Sequence, residues 1–263
     1  MSDRYALVGN PVAHSKSPFI HTEFARATGQ HLQYGLLEAP LDGFAAVVDR
    51  FRSAGGKGAN VTVPFKEEAF RICRQVSERA RVAQAVNTLM FDTGFGDNTD
   101  GVGLVTDLTT HLEFPLARKR VLLLGAGGAA QGVVGALLEA GAARLMIANR
   151  TVARATELAR RFPGVTGCGF DGLAGEFDLI VNATSAGLGD EMPSVPAALF
   201  SRHVLAYDMV YGRDTPFLAA ARHAGARTSD GLGMLVEQAA ESFFVWRGVR
   251  PETRPVLAKL RGA

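Results

Sequence analysis

Residues 120–132, RVLLLGAGGAAQG, run an apolar segment into a glycine-rich stretch and then a helical pattern. Gly125, Gly127 and Ala130 fit the pattern G-x-G-x-x-[G/A]. The first glycine permits a tight turn, the second lets backbone approach a pyrophosphate, and the small third residue lets helix and strand pack closely. The N–H groups at the helix start are then free to bind phosphate. A strand before the glycines and a helix after them give the pattern its context; an ordinary strand–turn–helix unit is the plainer reading. The next apolar segment ends RLMIANRTVARA. A site for NAD carries Asp or Glu there, to hold a ribose hydroxyl. This chain has Asn149, Arg150 and Thr151 instead, with Arg154 nearly one helical turn past Arg150. Two guanidiniums suit a ribose phosphate through paired hydrogen bonds, which predicts NADP. The alternative is that the arginines merely decorate an exposed helix start, where a cation is mildly unfavourable.

A second group of residues could do proton and carboxylate chemistry. In YALVGNPVAHSKSPFIHTEF (5–24) a strand leads through a turn into a helix. Ser17 is expected as its N-cap and Pro18 as its first helical residue. Ser15 adds a second hydroxyl, so the pair is either a cradle for a small carboxylate or simple capping. In GANVTVPFKEEAF (58–70) a strand breaks at Pro64, and Lys66 opens a helix with Glu67 and Glu68 behind it. Taken alone, Lys66 is a solvated cation. Beside a nicotinamide it has another use. Oxidising a secondary alcohol removes hydride and a proton, and the cofactor accepts only the hydride. A free lysine, with a pKa near ~10.4, is a poor base at neutral pH. Burial and the positive end of the helix at 66–76 would lower it. Asp100, further along, reads as the N-cap of the helix after it.

The elements that would position these groups alternate strand and helix. Strands are expected at Tyr5–Val8, Gln33–Leu37, Ala59–Val63 and Thr88–Phe91, with helices at Pro18–Thr28, Gly43–Ala54 and Lys66–Val76. A second series has strands at Arg120–Leu124, Arg144–Ala148, Leu179–Asn182 and Val204–Asp208, and helices at Ala130–Ala140, Val152–Phe162 and Thr215–Ala224. Apolar, β-branched strands alternating with helices imply mostly parallel sheets covered on both faces. Residues 98–118 read as a capped helix and a loop joining the two series. A last helix at Met234–Trp246 is expected to pack back on the first. The fold class is therefore α/β with two domains. An N-terminal, mostly parallel substrate domain takes residues 1–100 plus 234–263, and a Rossmann domain binding NADP takes 101–233.

Bulk properties narrow the function. The chain has 263 residues, 47% hydrophobic and 21% charged, with a net charge of +2. That balance argues against electrostatically driven binding of nucleic acid or membrane. Cys73 and Cys168 form no CxxC pair, and the histidines show no HxH or HxxxH spacing, so neither a disulfide nor a metal site is expected. No apolar run reaches the ~18–20 residues of a membrane span, and the first residues carry no leader-peptide pattern. A soluble, cytoplasmic protein is expected.

The motifs HSKSP (14–18), GANVTVPFKE (58–67), AVNT (85–88), GDNTDG (96–101), GAGGA (125–129), NRT (149–151), NATSAG (182–187), YDMVY (207–211) and DGLGMLVEQA (230–239) together resemble the shikimate dehydrogenase family. They occur in order and span nearly the whole chain. The resemblance implies NADP-dependent, reversible reduction of 3-dehydroshikimate to shikimate, a step of aromatic amino-acid biosynthesis, in a monomer or homodimer. It implies that Ser15 and Ser17 hold the substrate carboxylate, and that Thr62, Asn87, Asp100 and Gln238 hold its hydroxyls. It implies that Tyr211 borders the substrate and that Lys66 is the catalytic residue, working with a nearby Asp100 that would fix the ammonium in place. On the cofactor side it implies Gly125, Ala126, Gly127, Gly128 and Ala129 as the phosphate loop, with Asn149, Arg150, Thr151 and Arg154 as the clamp. Glu78, Met209 and Gly233 lie at the nicotinamide end. Family members often continue the loop as Ser-Arg, where this chain has Ala130-Gln131, which removes one supporting phosphate contact. The competing expectations are a quinate/shikimate dehydrogenase of broader use, a different NADP enzyme such as a methylenetetrahydrofolate dehydrogenase, and a non-catalytic ligand sensor on the same fold.

Overall fold

The computed structural model describes residues 2–184 and 191–262. It divides into two compact units, Met1–Leu104 with Leu235–Ala263, and Val105–Met234. Each has its own six-stranded sheet.

The first sheet holds β1 (Asp3–Gly9), β2 (Leu32–Glu38), β3 (Gly56–Val61), β4 (Gln75–Val76), β5 (Thr88–Met90) and β6 (Phe95–Asp97), in the order β2-β1-β3-β5-β6-β4. β1 pairs in parallel with β2 and β3, connected through α1 (Ser17–Thr28) and α2 (Phe44–Ser53). β5 then runs antiparallel to β3, and β6 antiparallel to β5. This hairpin is the antiparallel part of the mostly parallel sheet that the sequence predicts, and it matters for the site. Two reversals bring the start of β5 and the end of β6 to the sheet edge where β1 and β3 end. The expected helix from Lys66 also stops early. α3 covers Lys66–Ile72, Cys73 turns extended, and Gln75–Val76 pairs with β6. The pairing gives β6 a neighbour on its open side, so strand formation wins over helix propensity there.

The apolar face of this unit packs Phe44 on Phe65, with centroids 5.0 Å apart, among Val8, Val48, Val61 and Leu89. The last long helix, α9 (Leu232–Arg247), crosses from the second unit and returns to this one. Trp246 stacks on Tyr5 and donates its indole N–H to the Leu89 carbonyl at 3.0 Å. Arg247 pairs with Asp3. α10 (Arg254–Arg261) follows, tied to α1 by Lys259 and Glu23.

His21 on α1 is fully buried and lies flat on Tyr34, 4.2 Å between centroids. Neither ring nitrogen has a hydrogen-bond partner among the described residues. Burial holds its pKa down at about 3, with Asn60 pulling weakly the other way. The folded imidazole is therefore neutral across the range where an unfolded one takes up a proton. Stability should fall as pH drops below about 6.5, by about 1.4 kcal/mol per pH unit until the folded value is reached. His21→Phe, which keeps the stacking and removes the titration, should flatten the fall in melting temperature between pH 6 and pH 4. An equally steep fall in the variant would show that another group is responsible.

The second sheet holds β7 (Arg120–Leu124), β8 (Arg144–Ala148), β9 (Thr166–Cys168), β10 (Leu179–Asn182), β11 (Leu205–Asp208) and β12 (Arg227–Ser229). All are parallel, in the order β12-β11-β10-β7-β8-β9. This is the doubly wound Rossmann order, with the direction of winding reversing between β7 and β10. α6 (Gly128–Glu139), α7 (Val152–Arg160) and α8 (Pro216–His223) follow β7, β8 and β11. The core of this unit gathers Leu122, Ile180, Phe200, Ala206 and Phe217. α5 (Asp100–Thr106) runs from the first unit into the second and ends in one turn of π-helix, Asp107–His111. Asp107 in that turn is buried, accepts the Tyr207 hydroxyl at 2.6 Å, and lies so close to Gly233 that a side chain there would collide with its carboxylate. Burial pushes the Tyr207 phenol well above its usual pKa.

Among the described residues no helix is long and apolar enough to cross a membrane, and no group of three His, Cys, Asp or Glu could hold a metal ion.

Candidate active site

One edge of the first sheet collects the predicted substrate residues of that unit. Ser15 and Ser17 follow β1, Thr62 follows β3, and Lys66 opens α3 four residues later. β5 pairs Thr88 with Asn60 and with Asp97, so Asn87 lies at the same edge, and the segment leaving β6 carries Asp100 to it. The direction of winding reverses at β1, and open α/β sheets bind ligands outside the strand ends at such a point.

Lys66 and Asp100 meet there. The Lys66 ammonium donates to Asp100 Oδ2 at 2.5 Å, and both side chains are buried. Asp100 Oδ1 accepts from Asn87 Nδ2 at 2.9 Å. The same nitrogen reaches Thr99 Oγ1 at 2.9 Å and Gln238 Oε1 at 3.4 Å. Asn87 Oδ1 accepts the Thr99 N–H at 2.9 Å, so the amide orientation is set by its neighbours. Asn98 carries the turn, giving Nδ2 to the Ala85 carbonyl and accepting the Asp100 N–H. A buried ion pair with both carboxylate oxygens occupied is costly to break, because removing one partner strands the other charge.

Two capping expectations fail here. α1 begins at Ser17, with Lys16 in the cap position and no side-chain cap bond. Ser15 makes the local turn instead: its hydroxyl oxygen accepts the Ser17 N–H at 3.1 Å, and it donates to Ser17 Oγ at 3.0 Å. Asp100 is the first residue of α5, and its carboxylate goes to Lys66 and Asn87. An ammonium and a buried amide are stronger partners than the N–H groups of the helix start, so the tertiary contacts win.

Ser15, Ser17, Thr62, Lys66, Asn87, Asp100 and Gln238 all lie in the first unit. Tyr211 lies in the second, half-buried just beyond β11. Glu78, expected at the nicotinamide end, opens α4 (Glu78–Ala83) in the first unit. It is exposed there, with its carboxylate held by Arg81.

In the second unit the glycine loop leaves β7 where the winding reverses. Gly125 has φ +107°, and a side chain on it would press on the Ala183 carbonyl, so both the turn and the close approach require glycine. Gly127 caps α6, and nothing stands within 4 Å of where its side chain would point. That open space in front of free helical N–H groups, with no acidic residue in the first turn, fits a bound phosphate. Ala126 is buried in the turn, while Gly128 and Ala129 are half-buried at the start of α6. Ala130 is fully buried, as the close-packing position requires. Beyond β8, Asn149 donates Nδ2 to the Thr151 carbonyl at 3.0 Å and bends the chain into α7. Arg150, Thr151 and Arg154 are exposed around that helix start. Met209 follows β11, its N–H on the Asn182 carbonyl, and Gly233 lies in the first turn of α9 after β12. All these segments leave carboxyl ends of parallel strands.

Three family models match the chain: a shikimate dehydrogenase substrate-binding domain over residues 7–89, a shikimate/quinate 5-dehydrogenase domain over 108–189, and a shikimate 5′-dehydrogenase C-terminal domain over 231–261. A shikimate dehydrogenase (NADP(+)) from Methylobacillus flagellatus is 58% identical over 99% of this chain and 100% of that protein. The chain belongs to the shikimate dehydrogenase family. Among solved structures of similar fold, an Ael1 enzyme from Pseudomonas putida is 49% identical with a TM-score of 0.91, over 98% of both chains. A shikimate 5-dehydrogenase from Thermus thermophilus, crystallised with NADP(H) and shikimate, is 34% identical with a TM-score of 0.86, over 99% of both chains.

The shikimate dehydrogenase motifs map onto the two strand-edge clusters just described. The NATSAG motif is the exception, because its residues 185–187 lie outside the described residues. Sequence reasoning missed the buried polar layer beneath Asn87. Asn60 donates to the Asn87 carbonyl and to Thr88 Oγ1, both at 3.1 Å, and accepts from the Tyr34 hydroxyl at 2.8 Å. The available signal was a polar amide between the apolar Ala59 and Val61 of β3.

Proposed function

We propose that this chain catalyses the NADP-dependent, reversible reduction of 3-dehydroshikimate to shikimate. The buried Lys66–Asp100 pair carries the proposal. A ligand sensor has no need of an amine and a carboxylate held together at 2.5 Å with the amine at the sheet edge. Bound NADPH supplies the hydride for the carbonyl carbon. Lys66 gives a proton to the oxygen in reduction and takes it back in oxidation. Asp100 balances the charge on Nζ and fixes its direction. Asn87, which donates to Asp100, and Gln238, whose Oε1 is 3.4 Å from the Asn87 nitrogen, orient the substrate hydroxyls with Thr62, and the Ser15 and Ser17 hydroxyls meet the substrate carboxylate. The glycine loop 125–129 and the Asn149–Arg154 segment would hold the dinucleotide, with Met209 and Gly233 at the nicotinamide end. Tyr211 and Glu78 complete the proposed set. In this reading the enzyme works in the cytoplasm as a monomer or homodimer. Nicotinamide absorbance after mixing the protein with shikimate and NADP⁺ tests it. Growth of the reduced band is expected, larger than with quinate or with NAD⁺. No change with any of the four combinations would overturn it.

A further inference from the structure

We propose that Ser242, outside every motif quoted above, is a positioning residue for Asn87 and Gln238, a role that rests on the proposed function of those two side chains. Ser242 lies on α9, one turn after Gln238, and is fully buried. Its Oγ is 2.9 Å from Asn60 Nδ2, 2.8 Å from Thr88 Oγ1, 3.2 Å from Thr99 Oγ1 and 3.0 Å from the Gln238 carbonyl. One hydroxyl thus ties α9 to β3, to β5 and to the segment that carries Asp100.

Donor and acceptor capacities fix how the protons lie. A serine hydroxyl has one proton and two lone pairs. The Gln238 carbonyl can only accept, so the Ser242 proton goes there. The Asn60 NH₂ can only donate, so it takes one lone pair. The second lone pair accepts from Thr88 or Thr99, but not from both. The threonine left over turns to Asn87 Oδ1, which is 2.9 Å from Thr88 Oγ1 and 3.2 Å from Thr99 Oγ1. In either arrangement Asn87 Oδ1 carries the Thr99 N–H and one hydroxyl. Its nitrogen stays turned to Asp100 and Gln238, and every threonine proton has an acceptor.

Removing the Ser242 oxygen leaves two threonine protons for one carbonyl oxygen that already accepts an N–H. A buried donor without a partner is unfavourable, and the strain is relieved by shifting Asn87 or sliding α9 with Gln238. Ser242→Ala favours helix, so the fold should be kept. Its KM for shikimate should rise about five- to twentyfold, with KM for NADP⁺ unchanged. A partly unfolded sample would lower turnover without moving KM. Adding Thr99→Val removes the surplus proton, so the double variant should bind shikimate better than Ser242→Ala does. Two unrelated defects would instead multiply. Hydrogen exchange of the Asn87 and Gln238 side-chain amides, followed by NMR, needs no activity. It should speed up in Ser242→Ala and slow again in the double variant. An unchanged KM in an active Ser242→Ala enzyme, or unchanged amide exchange in either background, would overturn the positioning role. A parent protein inactive on shikimate would count against the proposed function, and the exchange experiment would still decide on Ser242.

Discussion

Lys66→Ala should lower turnover of shikimate by about 10²–10⁴ while changing its KM little. The split between the two constants is the informative part. If Lys66 only gripped the substrate, its loss would weaken ground state and transition state alike, and KM would rise at unchanged turnover. A proton carrier contributes where the O–H bond is breaking, so the loss falls on turnover. The variant also leaves the Asp100 carboxylate buried without its cation, though Asn87 still donates to the other oxygen. Some loss of melting temperature is therefore expected alongside the kinetic loss. Lys66→Arg separates the two effects. A guanidinium can keep a charge beside Asp100, yet it does not release a proton at any working pH. The arginine variant should recover stability relative to alanine without recovering turnover. Steady-state kinetics and melting curves on the two variants check this, and near-normal turnover in either would remove the lysine from the proton path.

What the sequence made legible was mainly local. The glycine loop and the bend at Asn149 are built within one strand–turn–helix unit each, so residue type and spacing were enough to read them. Four strands of the second sheet were readable for the same reason: both faces are covered, and RVLLL, RLMIA and LIVN are nearly continuous apolar runs, whereas the short edge strands β9 (TGC) and β12 (RTS) carry no such run and were not expected. The substrate edge was different. Lys66 and Asp100 are 34 residues apart, and they meet because the β5–β6 hairpin reverses direction twice. Nothing in the spacing of a lysine and an aspartate encodes that reversal; only the resemblance linked the two in advance. The capping expectations at Ser17 and Asp100 failed for a related reason. A polar residue before a helix has a default local use, and a distant partner can override it. Asn60, Thr88, Thr99 and Ser242 escaped notice because each looks unremarkable in its own segment. Their meaning lies in being buried together.

Arg150→Ala should raise KM for NADP⁺ by about tenfold to a hundredfold and leave KM for NAD⁺ nearly unchanged. A guanidinium bonded to a phosphate is worth about 1.5–3 kcal/mol, and each 1.4 kcal/mol is a factor of ten. Exposure limits the effect, because water and salt screen a surface charge. Arg150 and Arg154 are both exposed. Two features work in the other direction. A bidentate pair is stronger than a point charge, and the first turn of α7 holds no acidic residue to compete with the phosphate. Arg150, which makes no hydrogen bond or ion pair among the described residues, has no partner to give up when it binds. The NADP⁺ penalty should shrink as salt is raised, since the interaction being lost is itself screened. An uncharged ribose hydroxyl has no such interaction to lose, which is why NAD⁺ is the internal control. Equal losses for both cofactors would mean that Arg150 supports the helix start rather than the phosphate. The preference for NADP would then have to come from elsewhere around the glycine loop.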